Sequence, residues 1–280
     1  MVKRMDALFS RIVAQQQRNN GYLARAEMER IIAAIDDPKR LERHGFKVYS
    51  QNDEDGILEE IFRRLGIVGG RFAEIGVENG LECNSLYLIH KGWRGTWFEG
   101  NVAHRPAIED KFATILGRRL QVAFGYVTAE SINNVFRGVG VPDDLDFLSI
   151  DVDGNDIYLL EALTLRPKVI CIEYNSKFPG SLAKQQPYDQ RRGWGGTDYF
   201  GASLKAIAQA AAAKGYRLVG ANITGANAFF VRDDLAGDLF PDDASPETLY
   251  NPPRYWLWPD HFMHVGHRAD FGPYVDLQGD

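Results

Sequence analysis

The stretch Arg71–Gly80, read as Arg-Phe-Ala-Glu-Ile-Gly-Val-Glu-Asn-Gly, constrains the chain more than any other. Phe72, Ala73 and Ile75 form a short apolar run bounded by turn residues. Such a run suits a strand buried on both faces of a parallel sheet. It carries an acid, Glu74, and leads into Gly76 and Gly80, four apart. Leu81, Leu86 and Ile89 then follow at helical spacing. Strand, glycine turn and helix together bring a backbone close to a ligand. The dinucleotide fingerprint G-x-G-x-x-G would need glycines at 76, 78 and 81, where the chain has Gly76, Glu78 and Leu81. That fingerprint fails. What fits is acid-x-Gly-x-x-x-Gly after a strand.

Three more segments repeat the pattern of an apolar run that ends in an acid. Gly95–Asn101 reads Gly-Thr-Trp-Phe-Glu-Gly-Asn, with Glu99 placed 19 residues past Gly80. One crossover helix and one strand account for that spacing. In doubly wound folds an acid at this point accepts hydrogen bonds from ribose hydroxyls. Leu145–Tyr158 contains Phe147, Leu148 and Ile150, then Asp151 and Asp153. If the chain stays extended, residues two apart point the same way, and both carboxylates face one crevice. Asn155 or Asp156 then caps a helix over Ile157–Leu163. Val169–Asn175 is a fifth strand that ends in Glu173 and Asn175. Ligands of such sheets bind outside the carboxyl ends of the strands. Four strands ending in Glu74, Glu99, Asp151 and Glu173 therefore point to one crevice.

The remaining chain fills in the architecture. Residues 6–35 read as two helices interrupted at Asn19-Asn20-Gly21, packed on the domain or on a second subunit of a homodimer. Ser50 or Asn52 caps a helix over Ile57–Leu65, with Asp53, Glu54 and Asp55 favouring its N-terminal dipole. A helix over 104–117, a strand Leu120–Val127 and a helix from about Ala129 follow, with Thr128 as cap. Residues 176–199 are rich in Gly, Pro and aromatics, and a loop this long is a lid or binding loop. Leu204–Lys214 is a helix, and Tyr216–Val219 and Asn227–Val231 are strands joined by a turn that returns the chain antiparallel. The tail after Asp233 is acidic and Pro-rich and reads as a cap with aromatic walls. Its His261, His264 and His267 are spaced by three, but no acid or Cys stands at ligand spacing beside them, so a zinc site is not expected.

Composition narrows the function classes. A net charge of −6 argues against nucleic acid as partner. No apolar run approaches the length of a membrane span. Two cysteines, Cys83 and Cys171, make no disulfide framework and suit a reduced, cytoplasmic protein.

With Phe-Ala-Glu-Ile-Gly-Val-Glu-Asn-Gly, Trp-Phe-Glu-Gly-Asn, Ser-Ile-Asp-Val-Asp-Gly-Asn-Asp and Ile-Glu-Tyr-Asn in order, the chain resembles the class I S-adenosylmethionine (SAM) methyltransferases. It is most similar to the FkbM-like O-methyltransferases, whose D-V-E-G-x-E-like motif here reads Asp151-Val152-Asp153-Gly154-Asn155-Asp156. The departures are Glu78 for glycine and Asp153 for glutamate. The resemblance covers about 46–235. It implies an α/β, Rossmann-like three-layer sandwich with a mainly parallel seven-stranded sheet and an antiparallel last strand. Residues 1–45 are then a helical extension and 236–280 a substrate cap.

The resemblance also implies roles. Glu74 with the Gly76–Gly80 backbone would hold the methionine part of SAM, and Glu99 with Gly100 and Asn101 the ribose. Gln51 and Asp55 would fold over the cofactor, Thr128 would stand beside the adenine, and Asp151 would reach the SAM amino group. Relatives bind Mg²⁺ at positions matching Asp151, Glu173 and Asn175. The expected function is methyl transfer to a small molecule, most simply to a hydroxyl, with Asp151 and Asp153 as base or cation ligand. An NAD-type enzyme and a non-catalytic SAM-binding subunit remain as alternatives.

Overall fold

The structure is a computed structural model that describes residues 2–191, 193–257 and 271. Its helices are α1 (Val2–Ala33), α2 (Glu54–Leu65), α3 (Leu86–His90), α4 (Arg105–Lys111), α5 (Ile132–Gly138), α6 (Asp156–Ala162) and α7 (Leu204–Ala213), then the short α8 (Asp233–Ala236) and α9 (Pro246–Leu249). The strands are β1 (Arg71–Ile75), β2 (Arg94–Glu99), β3 (Leu120–Phe124), β4 (Phe147–Ile150), β5 (Val169–Glu173), β6 (Tyr216–Ala221) and β7 (Asn227–Arg232). They form one seven-stranded sheet in the order β3-β2-β1-β4-β5-β7-β6. All neighbours are parallel except those of β7, which runs antiparallel to both β5 and β6. The expected reversed last strand is therefore present.

Alternation along the strands builds two cores, one on each face. Phe72, Trp97, Phe147, Val169 and Cys171 pack with α2, α3 and the Ile108–Phe112 stretch. Ala73, Ile75, Leu148, Ile150, Ile170 and Ile172 pack with α5, α6 and α7. Side chains of successive strand residues point to opposite faces, so runs apolar at every position are required when helices cover both. Three layers result.

Several boundaries differ from the sequence reading. The N-terminal segment is one helix, unbroken at Asn19-Asn20-Gly21. Gln15 donates to Asn19 and Gln16 to Asn20 along its surface, at 3.0 and 3.4 Å. Among the described residues, its last turns pack on the domain, where Ala24, Met28, Ile31 and Ile32 meet Ile223 and Leu257. Helix α3 starts at Leu86 and not directly after Gly80. Strand β3 stops at Phe124, and α5 starts at Ile132 with Ser131, not Thr128, at its N-cap. Ser50 and Asn52 do not occupy the N-cap of α2, which is Asp53; the Ser50 hydroxyl nonetheless accepts the Asp55 N–H at 3.2 Å. Among the described residues, no helix is long and apolar enough to cross a membrane.

Candidate functional site

The sheet order reverses direction between β1 and β4. A crevice opens at such a switch point because the loops leave in opposite directions. Here a cavity of about 460 Å³ lies at the carboxyl ends of β1, β2, β4 and β5. Its lining includes Gln51, Glu74, Gly76, Glu99, Gly100, Asn101, Thr128, Asp151, Asp153 and Glu173. Of the expected site residues, Asp55, Gly80 and Asn175 are not in its wall.

The β1–β2 side is held together by carboxylates that accept backbone N–H groups. Glu74 Oε1 accepts from Asn84 N at 2.7 Å, and Oε2 from Ser85 N at 2.9 Å and from the Ser85 hydroxyl. That hydroxyl in turn accepts Trp97 Nε1–H at 2.7 Å. Burial raises the Glu74 pKa to about 7 against the pull of these donors. Glu99 takes Glu78 N on one oxygen and Asn101 N on the other, both at 2.6 Å. It ties the glycine turn after β1 to the turn after β2.

The turn itself explains two of its residues. Gly76 has φ 83°, and a Cβ there would lie 1.7 Å from the Asp151 carbonyl oxygen. No side chain fits between these two strand ends. Glu78, which departs from the glycine pattern, adopts φ 50°. The left-handed conformation that glycine would supply is thus retained, at a cost, by a non-glycine residue.

The Asp151–Asp156 stretch is not extended. Strand β4 ends at Ile150, and Asp153 turns at φ 57°. The parity argument for Asp151 and Asp153 therefore does not apply, although both line the cavity. Asp156 is not a side-chain cap of α6; its two oxygens accept Val152 N at 2.8 Å and Gly154 N at 2.9 Å. It folds the turn back on itself. Burial sets Asp156 at about 6. Burial, then Asp156 and Asp153, push Asp151 well above the usual carboxylate range. Glu173 rises for the same reasons, with Asp151 the largest charge acting on it.

Oxygens of Asp151, Asp156 and Glu173 come within 4.8 Å of one another. Asn175, the expected third member, is elsewhere. Its amide nitrogen donates to Asp198 O and Phe200 O at 2.9 and 2.8 Å, and its oxygen accepts Lys177 N at 3.0 Å. It pins the long loop to β5. Asp55 also has a structural task, since its Oδ2 accepts Val48, Tyr49 and Ser50 N–H. Gln51 remains at the cavity wall.

The long loop reaches the cavity through Gln190 and Gly193. The described part of the tail does not line it. That part packs elsewhere: Tyr174 donates its hydroxyl to Asn251 O at 2.7 Å, and Arg254 N donates to Thr224 O at 2.8 Å. His261, His264 and His267 lie outside the described residues. Asn155 and Asn227 line the cavity as well. The sequence offers Asn155 only as a cap, and it does stand at the N-cap of α6; it offers Asn227 only as part of a strand. Their signal, a polar residue at the carboxyl edge of β4 and at the start of β7, was present but not distinctive.

No family model matches the chain, and no curated protein does. Solved structures do. The chain is similar to an O-methyltransferase from Bacillus cereus in complex with S-adenosylhomocysteine (SAH), at 19% identity over 74% of this chain and 88% of that one, with a TM-score of 0.43. It is similar to the glycopeptide N-methyltransferase MtfA complexed with sinefungin, at 10% identity over 67% of this chain and 96% of that one, with a TM-score of 0.41. A third is the N-terminal domain of EvdMO1 in the presence of SAH and D-fucose, at 14% identity over 74% and 94%, with a TM-score of 0.41.

Proposed function

We propose that the chain is an FkbM-like methyltransferase that moves the methyl group of SAM to a hydroxyl of a small molecule. The observation that carries this is the charge of the cavity. Glu74, Glu78, Glu82, Glu99, Asp151, Asp153 and Glu173 line it, and no Lys or Arg stands among its described lining residues. SAM carries a sulfonium and an ammonium against one carboxylate and is net positive. The pyrophosphate of NAD is anionic and needs backbone donors or cations at this turn. The Glu78 N–H that could serve it is taken by Glu99. The charge therefore supports SAM over NAD.

The sulfonium is already a strong electrophile, so the residues need only align the acceptor and remove its proton. Alignment supplies on the order of 7–11 kcal/mol at best. In this reading the Gly76–Glu78 turn lies along the methionine part and Glu99 meets the ribose hydroxyls. Asp151 or Asp153 takes the proton. Both carboxyls are raised, Asp153 by burial and then by Glu78, which makes them better bases than an ordinary aspartate.

The divalent cation implied by the resemblance fits less well. Asn175 is committed to the loop. Asp156, which stands in its place, has each oxygen on a backbone N–H. Turnover should persist in EDTA. Calorimetry with SAM, SAH and NADH tests the cofactor, and transfer of labelled methyl to a metabolite extract tests catalysis. SAM and SAH should bind and NADH should not. Binding without transfer would leave the non-catalytic subunit; binding of NADH alone would overturn the proposal.

A further inference from the structure

Helix α1 carries two apolar faces. Its last turns use one of them, where Ala24, Met28, Ile31 and Ile32 meet Ile223 and Leu257. The other lies earlier in the helix and faces solvent. Met5 is 65% exposed there, Leu8 60%, Phe9 69%, Ile12 57%, Val13 38% and Leu23 69%. At 3.6 residues per turn, this second face is centred about a third of a turn round the axis from the first. Among the described residues, the surface that receives the last turns therefore leaves the earlier face bare. Long helices gain their stability mainly by packing an apolar face, so a bare one calls for a partner.

The spacing along that face is regular. Met5, Phe9, Ile12, Gln16, Asn19 and Leu23 follow one another at intervals of four, three, four, three and four. This is the heptad repeat by which one helix packs along another. From Leu8 to Tyr22 the flanking positions hold Leu8, Val13, Gln15, Asn20 and Tyr22, none of them charged. Arg11 and Arg18, one heptad apart, stand off this face.

We infer that this face of α1 is the interface between two copies of the chain, paired helix against helix. A two-fold interface uses the same patch on both partners, so the patch must suit itself. This one does, because two copies bring apolar side chains and amides together there and keep the like charges of Arg11 and Arg18 apart. Covering Met5, Leu8, Phe9, Ile12, Val13 and Leu23 hides on the order of 650 Å² per copy, or about 1,300 Å² in all, within the range of specific dimers. A lipid surface fits less well. Gln16 and Asn19 lie in the middle of the face, and lipid offers their amides no hydrogen-bond partner. A second copy brings amides of its own, and polar residues at such positions fix the register of paired helices. The pairing does not depend on what the cavity binds.

Sedimentation equilibrium of the full chain tests it. The mass should be twice 31.5 kDa, with a dissociation constant in the micromolar range or tighter. Phe9→Asp should give the mass of one chain, and Arg18→Glu, off the face, should leave the dimer. Phe9→Ala combined with Ile12→Ala puts the best helix former at both positions and should still weaken association at least about tenfold, so the effect cannot come from an unravelled helix. A single-chain mass for the unaltered protein overturns the inference, and so does a dimer that survives Phe9→Asp. If the single chain also floats with vesicles of phosphatidylcholine and phosphatidylserine, and Phe9→Asp abolishes this, the face belongs to a lipid surface instead.

Discussion

The two sides of the cavity treat their acids in opposite ways. On the β1–β2 side, each oxygen of Glu74 and Glu99 accepts a backbone N–H, and Glu74 also takes the Ser85 hydroxyl. On the β4–β5–β7 side, Glu173 Oε2, Asn155 Oδ1 and Asn227 Oδ1 are each buried with no donor among the described residues. The first side is tied together by the chain's own backbone. The second leaves acceptors without a donor among the described residues. The first is a rigid frame; the second is a polar network only partly made.

The largest expected effect comes from the seam between them. Gly76→Ala should destabilise the fold by about 4 kcal/mol or more, because its Cβ would occupy the Asp151 carbonyl at φ 83°. Gly66→Ala is the control: φ is 68° there too, but nothing lies within 4 Å, and about 1 kcal/mol is expected. Chemical denaturation of both variants measures the difference. Equal costs would mean that the seam yields.

Next in size is a pH effect on the β1–β2 side. Glu74 titrates at about 7 in the fold against an ordinary 4.5. The folded state therefore holds a proton that the unfolded state has lost, and stability falls as pH rises through this window. The contribution is on the order of 3 kcal/mol between about pH 4.5 and 7. Glu74→Gln should flatten the slope. A slope unchanged in Glu74→Gln would show Glu74 to be ionised throughout.

Glu99→Ala should weaken SAH binding by about 1–3 kcal/mol, the range for stranding a buried polar partner. Unchanged affinity in a folded variant would remove Glu99 from the cofactor side. On the open side, Glu173→Gln should stabilise the ligand-free chain near neutral pH, because burial and the neighbouring Asp151 raise this acid and a neutral amide removes that cost. Loss of stability instead would mean that Glu173 already has a partner and that the two sides are alike.

Strand ends were legible in the sequence because an apolar run bounded by an acid has few other uses in a doubly wound sheet. The acids Glu74, Glu99, Asp151 and Glu173 do meet at one cavity. What satisfies each acid was not legible. Asn84 and Ser85 sit ten and eleven residues from Glu74, and Asn227 sits 173 from Glu54. Pairings at that range depend on the closed sheet and not on local pattern. The unbroken α1 shows the opposite error, in which local breakers were given more weight than a helix with side-chain pairs along its surface. Of the two cap candidates of α6, Asn155 stands at the N-cap, whereas Asp156 opens the helix and turns its carboxylate to the preceding loop.

The Trp97–Ser85–Glu74 chain of hydrogen bonds has an optical consequence. Trp97 is fully buried, and its indole N–H reaches the carboxyl group through a single hydroxyl. A charge appearing on Glu74 changes the electric field along the ring, in a medium that screens it poorly. The emission of this indole should therefore follow the protonation of the carboxyl, with a midpoint near neutrality. A cation entering the cavity would move that midpoint downward. The protein carries, inside its own core, a fluorescent indicator of what occupies its acidic cleft.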